Sequence, residues 1–140
     1  ANSRVLPEQR NQAESIMSAV GKVVWIQKEA LMDTVTAVSG SGPAYFFYFM
    51  EALEQAAIEE GLDKNTARLL TLETALGAAR LAIETTESLS ELRSQVTSRG
   101  GTTEAALHVL EHADTRQILK RAVTAARKRS ADLANSSGTD

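Results

Sequence analysis

Apolar positions recur at helical spacing along nearly the whole chain. Ala13, Ile16, Met17 and Val20 form the stripe of a first helix, which Pro7-Glu8-Gln9-Arg10 opens and Gly21 ends. Glu29 to Val38 predicts a second helix. After a break at Gly40-Ser41-Gly42-Pro43, Ala44 to Glu60 predicts a longer third, stopped at Gly61. Asp63 caps a fourth, whose interior reads Leu69, Leu70, Leu72, Leu76, Leu81 and Ile83. Ser88-Leu89-Ser90-Glu91 has capping-box spacing and begins a short fifth helix to about Val96. Glu104 to Glu111 makes a sixth, and Asp114 with Gln117 opens a seventh that runs to about Leu133. Only Val23-Val24-Trp25-Ile26 reads as a strand, and one short strand makes no sheet. If it pairs, it pairs with a strand from outside this chain. The predicted fold class is all-α.

Two stretches resist burial within a lone domain. Five of the six aromatic residues, Tyr45, Phe46, Phe47, Tyr48 and Phe49, are consecutive and therefore point all around the third helix. A second subunit is expected to cover one flank; the rival use is a lining for a planar ligand. The centre of the fourth helix, Thr74-Ala75-Leu76-Gly77-Ala78-Ala79, is built of small residues. An interior Gly costs about 1 kcal/mol against Ala, so Gly77 predicts the close approach of a crossing helix.

Composition narrows the function. A chain of 140 residues with 43% hydrophobic residues suits one globular domain. A net charge of −3 gives no electrostatic case for nucleic acid, and Arg116, Lys120, Arg121, Arg127, Lys128 and Arg129 read as a solvated helix face. The absence of cysteine excludes disulfides, thiol catalysis and cysteine-ligated zinc. No apolar run is long enough for a membrane span, and Ala1-Asn2-Ser3-Arg4 is no signal peptide. A cytoplasmic location fits these features. The first residue is not Met, which predicts a piece of a longer protein.

Candidate chemistry concentrates in one turn. Val96-Thr97-Ser98-Arg99-Gly100-Gly101-Thr102-Thr103 leads straight into the sixth helix. Paired glycines allow close backbone approach, and the first amides of a helix lack intrahelical partners and carry the positive dipole end. Such a turn binds a small anion without a cationic side chain. The plain alternative is a helix–loop–helix connection capped by Thr102. His108 and His112 stand four apart with Glu104 a turn earlier, but no HExxH motif or further His exists, and no metal site is predicted. Gly40-Ser41-Gly42 is no dinucleotide fingerprint: Tyr45 holds the sixth position, Pro43 interrupts, and no strand precedes it. No acid, base or nucleophile proposes itself as catalytic.

Taken together, the glycine segments resemble one family. Val35-Thr36-Ala37-Val38-Ser39-Gly40-Ser41-Gly42-Pro43-Ala44-Tyr45, then Leu76-Gly77-Ala78-Ala79-Arg80, then Leu92 through Ala106 are similar to pyrroline-5-carboxylate reductase, in order and with compatible spacing from about Gln9 to Leu133. The resemblance implies the C-terminal domain of that enzyme, an intertwined helical dimerisation domain of the 6-phosphogluconate dehydrogenase C-terminal-like type, without its Rossmann domain. Residues 1–28 are then a helix and linker at the junction, 29–134 the dimerisation and substrate domain, and 135–140 a disordered tail.

The implied activity is NADPH- or NADH-dependent reduction of 1-pyrroline-5-carboxylate to L-proline. Its cofactor site lies mainly in the missing domain, so this chain alone is expected to bind no cofactor and to be inactive. The implied assembly is a homodimer, or a ring of dimers, with no nucleic-acid or membrane partner. The implied substrate-binding residues are Val96, Ser98, Gly100, Gly101, Thr102 and Thr103. The amides of Gly101, Thr102 and Thr103 hold the carboxylate, the Thr103 hydroxyl reaches the substrate, and Val96 and Ser98 line the ring. Two positions depart from the family pattern: Arg99 replaces the usual Pro and Glu73 the common Gln. The alternative function is a stand-alone all-α homo-oligomerisation module without activity.

Overall fold

A computed structural model describes residue 2 and residues 4–137. Among these there is no strand. The order is α1 (Pro7–Ser18), a 3-10 turn (Glu29–Leu31), α2 (Met32–Val35), a π-helical segment (Thr36–Gly40), α3 (Gly42–Glu59), α4 (Lys64–Glu84), α5 (Leu89–Gln95), α6 (Thr102–His112) and α7 (Thr115–Ser137). The all-α expectation holds, while residues 23–26 carry no regular secondary structure and pair with no strand among the described residues.

Local chemistry sets these boundaries. The Gln9 side chain accepts the Leu6 amide at 2.9 Å at the start of α1. The wider-than-helical bond from the Ser41 amide to the Thr36 carbonyl, 2.9 Å, makes the π turn before α3. Pro43 then fits the first turn of α3, where a missing N–H costs nothing. Asp63 accepts the Asn65 and Thr66 amides at 3.0 and 3.1 Å and caps α4 as expected. Asp114 departs from its expected role. It sits at φ 55°, and its carbonyl, not its carboxylate, takes the Gln117 amide at 2.9 Å. The capping box expected at Asp114 and Gln117 is therefore replaced by a left-handed turn. Helix α7 continues to Ser137, so Asn135 to Ser137, expected in a tail, are helical; 138–140 lie outside the described residues.

Packing is centred on α7, which lies against α2 and the π segment and touches α6, while α3 and α4 form a hairpin. Thr115, Leu119, Val123, Ala126 and Ser130 are the half-buried stripe of α7, at helical spacing. The Ser130 hydroxyl donates to Asp33 at 2.8 Å and pins α7 to α2. At the other end, Trp25 donates its indole N–H to Glu14 at 2.7 Å, under the Arg10 guanidinium 4.5 Å from the ring centroid. That clasp holds α1 to the segment that follows it.

The buried face of α4 differs from the one its leucines predict. Ala67 and Thr71 are buried and Ala75 half-buried, at four-residue spacing. Leu69, Leu70, Leu72, Leu76, Leu81 and Ile83 are all exposed, as are Ile16 and Met17 of α1 and Val20 just after it. The reason is geometric: small side chains let α3 and α4 close on one another, which turns the leucines outward. Nothing lies within 4 Å of a Cβ placed on Gly77, so the crossing helix expected there is not supplied by this chain. The chain exposes 11794 Å². A compact monomer of 15.1 kDa exposes about 7,100 Å², roughly 4,700 Å² less.

Candidate functional site

Helix α5 presents the turn. Its own start is a complete capping box: the Ser88 hydroxyl and amide both donate to Glu91 at 2.7 Å, and the Glu91 amide returns to the Ser88 hydroxyl at 3.3 Å. The Ser88 hydroxyl, then its amide, hold the Glu91 carboxyl below the usual carboxylate range. Leu92 is buried, and Arg93 reaches Glu111 on α6 at 3.2 Å, bracing the two helices. At the far end the Thr97 hydroxyl donates to the Arg93 carbonyl at 2.6 Å and closes α5.

The turn is knitted by its own backbone. The Gly101 amide donates to the Ser98 carbonyl at 3.0 Å, and the Gly100 amide to the Glu104 carboxylate at 2.7 Å. Gly100 takes a left-handed φ of 72°, which suits glycine. Gly101 is needed for a different reason. A Cβ there would fall on Ser98 Oγ and within 3.1 Å of the Ser98 carbonyl. Gly101 is also the N-cap of α6, so Thr102 is the first helical residue and not the cap.

This geometry divides the expected donors. The Gly100 and Gly101 amides are spent inside the turn. The Thr102 and Thr103 amides, the first two of α6, meet no acceptor among the described residues, and neither does the Thr103 hydroxyl. Both residues lie at the N-terminus, the positive end, of an 11-residue helix. Val96, Ser98 and Thr102 are exposed and Thr103 half-buried, so all are reachable from solvent. Arg99 is exposed with no polar partner among the described residues, and Glu73 is likewise exposed. Beside the turn, a groove of about 440 Å³ between α5 and α6 is lined by Ser90, Ser94, Thr97, Glu104, Leu107 and His108.

Other candidates are arranged otherwise. The His108 and His112 rings stack at 3.9 Å, and His112 Nδ1 donates to the His108 carbonyl at 2.8 Å. Among the described residues no group of three metal-ligating side chains gathers there or elsewhere. Gly40 ends the π segment and Gly42, buried, begins α3, so this glycine pair joins helix to helix and not strand to helix. Phe46, Phe47 and Tyr48 are each more than 60% exposed, and Phe47 borders an open cavity of about 690 Å³ between α3 and α4. The basic residues of α7 are exposed, and no helix among the described residues is long and apolar enough to cross a membrane. Sequence reasoning missed the clamp from Glu104 to Gly100. Its signal was legible, a Glu three residues after the Gly that caps the helix.

Residues 29–133 match the family described as pyrroline-5-carboxylate reductase dimerisation. A pyrroline-5-carboxylate reductase of Pseudomonas aeruginosa is 47% identical over 138 residues, which are 99% of this chain and 50% of that one. The solved pyrroline-5-carboxylate reductase of Coxiella burnetii superposes with a TM-score of 0.91 at 53% identity, over 95% of this chain and 49% of that one. The Plasmodium falciparum pyrroline carboxylate reductase, solved with NADP bound, gives a TM-score of 0.82 at 31% identity, over 92% of this chain and 51% of that one. The chain spans about half the length of the curated relatives it matches.

Proposed function

Because the chain belongs to the pyrroline-5-carboxylate reductase family through its dimerisation domain, we propose that it supplies the dimer interface and the substrate-carboxylate site of such a reductase. The reaction is reduction of 1-pyrroline-5-carboxylate to L-proline. In this reading the ring carboxylate accepts from the Thr102 and Thr103 amides, and the Thr103 hydroxyl adds a third bond. Val96 and Ser98 border the ring. When bound in the longer protein, NADPH or NADH supplies the hydride. This chain's part is to bind and orient the imine. An iminium substrate already carries its positive charge, which removes the need for an acid in the turn.

The observation that carries the proposal is the set of open amides at the α6 N-terminus, Thr102, Thr103 and Glu104, left over when the turn has satisfied Gly100 and Gly101 internally. The exposed leucines of α4 and the open Gly77 support the dimer, whose second copy would bring the crossing helix. Titrating the chain with L-proline while following backbone amides tests the site. Saturable shifts centred on Thr102 and Thr103 are expected. Their absence, with a dimer intact, would leave the homo-oligomerisation module as the better reading.

A further inference from the structure

Glu104 stands third in α6, after the N-cap Gly101. A glutamate there ordinarily reaches back to the amide of the cap itself. Here the Ser98 carbonyl already holds that amide, and Glu104 reaches one residue further, to Gly100 at 2.7 Å. It thereby grips the residue of the turn with a left-handed φ. Apart from the Gly101–Ser98 bond that closes the turn around it, nothing packs on Gly100, since a Cβ placed on it meets nothing within 4 Å. Without the grip, a glycine populates both signs of φ about equally, and the entry to α6 loses its direction.

The charge on Glu104 makes the assignment sharper. A carboxylate in the first turn of α6 repels an anion placed at the same helix end. No cation among the described residues neutralises it, because Arg93, in the same groove, pairs with Glu111. Its usefulness there lies in accepting the Gly100 hydrogen bond. We propose that Glu104 is a positioning residue for the carboxylate site, holding the turn through Gly100 so that the Thr102 and Thr103 amides stay aimed at one point. This rests on the carboxylate reading above.

The test compares wild type, Glu104→Gln and Glu104→Ala in the 140-residue chain, with L-proline as the probe. Gln keeps an acceptor for Gly100 and drops the charge; Ala removes both. Without proline, hydrogen exchange at the Gly100 amide should rise in the Ala variant and stay near wild type in the Gln variant. With proline, Kd should rise about two- to ten-fold for Ala, the scale of losing a pre-ordered loop, and stay level or fall for Gln. A purely helix-stabilising charge would instead make the Gln and Ala variants equally weak. Equal weakness, or an Ala variant that binds like wild type, overturns the proposal. Failure of the carboxylate reading looks different: wild-type Thr102 and Thr103 then ignore proline even where Gly100 exchange separates the variants. In that case Glu104 braces a turn with no ligand, and the positioning role falls too.

Discussion

The α3–α4 hairpin and the α5–turn–α6 unit solve opposite problems. The hairpin caps α4 with Asp63, yet leaves Phe46, Phe47 and Tyr48 exposed along with the leucines of α4. Its unmet need is apolar. The turn unit buries Leu92 and ties its helices together with Arg93 and Glu111, yet leaves the first three amides of α6 open. Its unmet need is an acceptor. The first kind of deficit calls for a large surface, and the second for one small anion. On the proposed reading, one chain carries an assembly face and a carboxylate site that can be perturbed separately.

The largest expected effect breaks the hairpin side. The chain should sediment as a dimer of twice 15.1 kDa, because stable obligate interfaces bury upward of about 2,000 Å² and far more than that is available. Phe47→Asp should cost about 2 kcal/mol or more of association, giving monomer at micromolar concentration, while the α5 capping box remains. A wild-type chain that sediments as a well-folded monomer would refute the assembly role.

Next in size is Thr103→Ala, which tests the other side. Loss of a hydrogen bond to a charged group is worth roughly 1.5–3 kcal/mol, or about 10- to 150-fold in kcat/KM of a full-length reductase carrying this domain. Since Gly101 is the cap and the Thr103 hydroxyl holds no partner among the described residues, Tm should hardly move. A fallen Tm with unchanged kinetics would put the carboxylate elsewhere. Gly101→Ala should follow, at about 1–3 kcal/mol of overpacking against Ser98. Adding Ser98→Ala removes the Oγ that the new methyl meets and should restore part of the loss. Strict additivity of the two changes would show that the clash is not where it is placed.

Helix content, the α4 cap, the Ser88–Glu91 box and the glycine turn were all legible in the sequence, because each depends on residues within about four positions. The buried face of α4 was not. Leucine periodicity says that an apolar face exists, not which neighbour covers it, and here Ala67 and Thr71 meet α3 while the leucines await another surface. Asp114 was misread for a related reason: the Asp-x-x-Gln spacing permits a box, but a left-handed turn at φ 55° takes the chain directly from α6 into α7. At the site, residue types were informative about which amides exist. The spacing of Glu104 after Gly101 offered a signal for one internal acceptor, but nothing in the residue types said that the Ser98 carbonyl would take the Gly101 amide.

The smallest effect separates the two units by pH. Asp63 in the hairpin and Glu91 in the turn unit both have carboxyls held below the ordinary range. The Thr66 hydroxyl is the first cause for Asp63, and the Ser88 hydroxyl for Glu91. A depressed folded-state value means a stabilising contribution that is present above the unfolded value, near pH 4, and lost as pH falls through the folded one. Tm should therefore be flat from neutral pH down to about 5 and decline below about 4. Ser88→Ala removes the hydroxyl from one box only, costing about 1 kcal/mol at neutral pH. With Glu91 held by the residue 88 amide alone, the acid decline should become shallower, and the part due to Asp63 should persist. If Ser88→Ala leaves the acid limb unchanged, the α5 box is not what the proton breaks. If it abolishes the limb altogether, the cap on α4 contributes nothing and the hairpin draws its order from its partner surface alone.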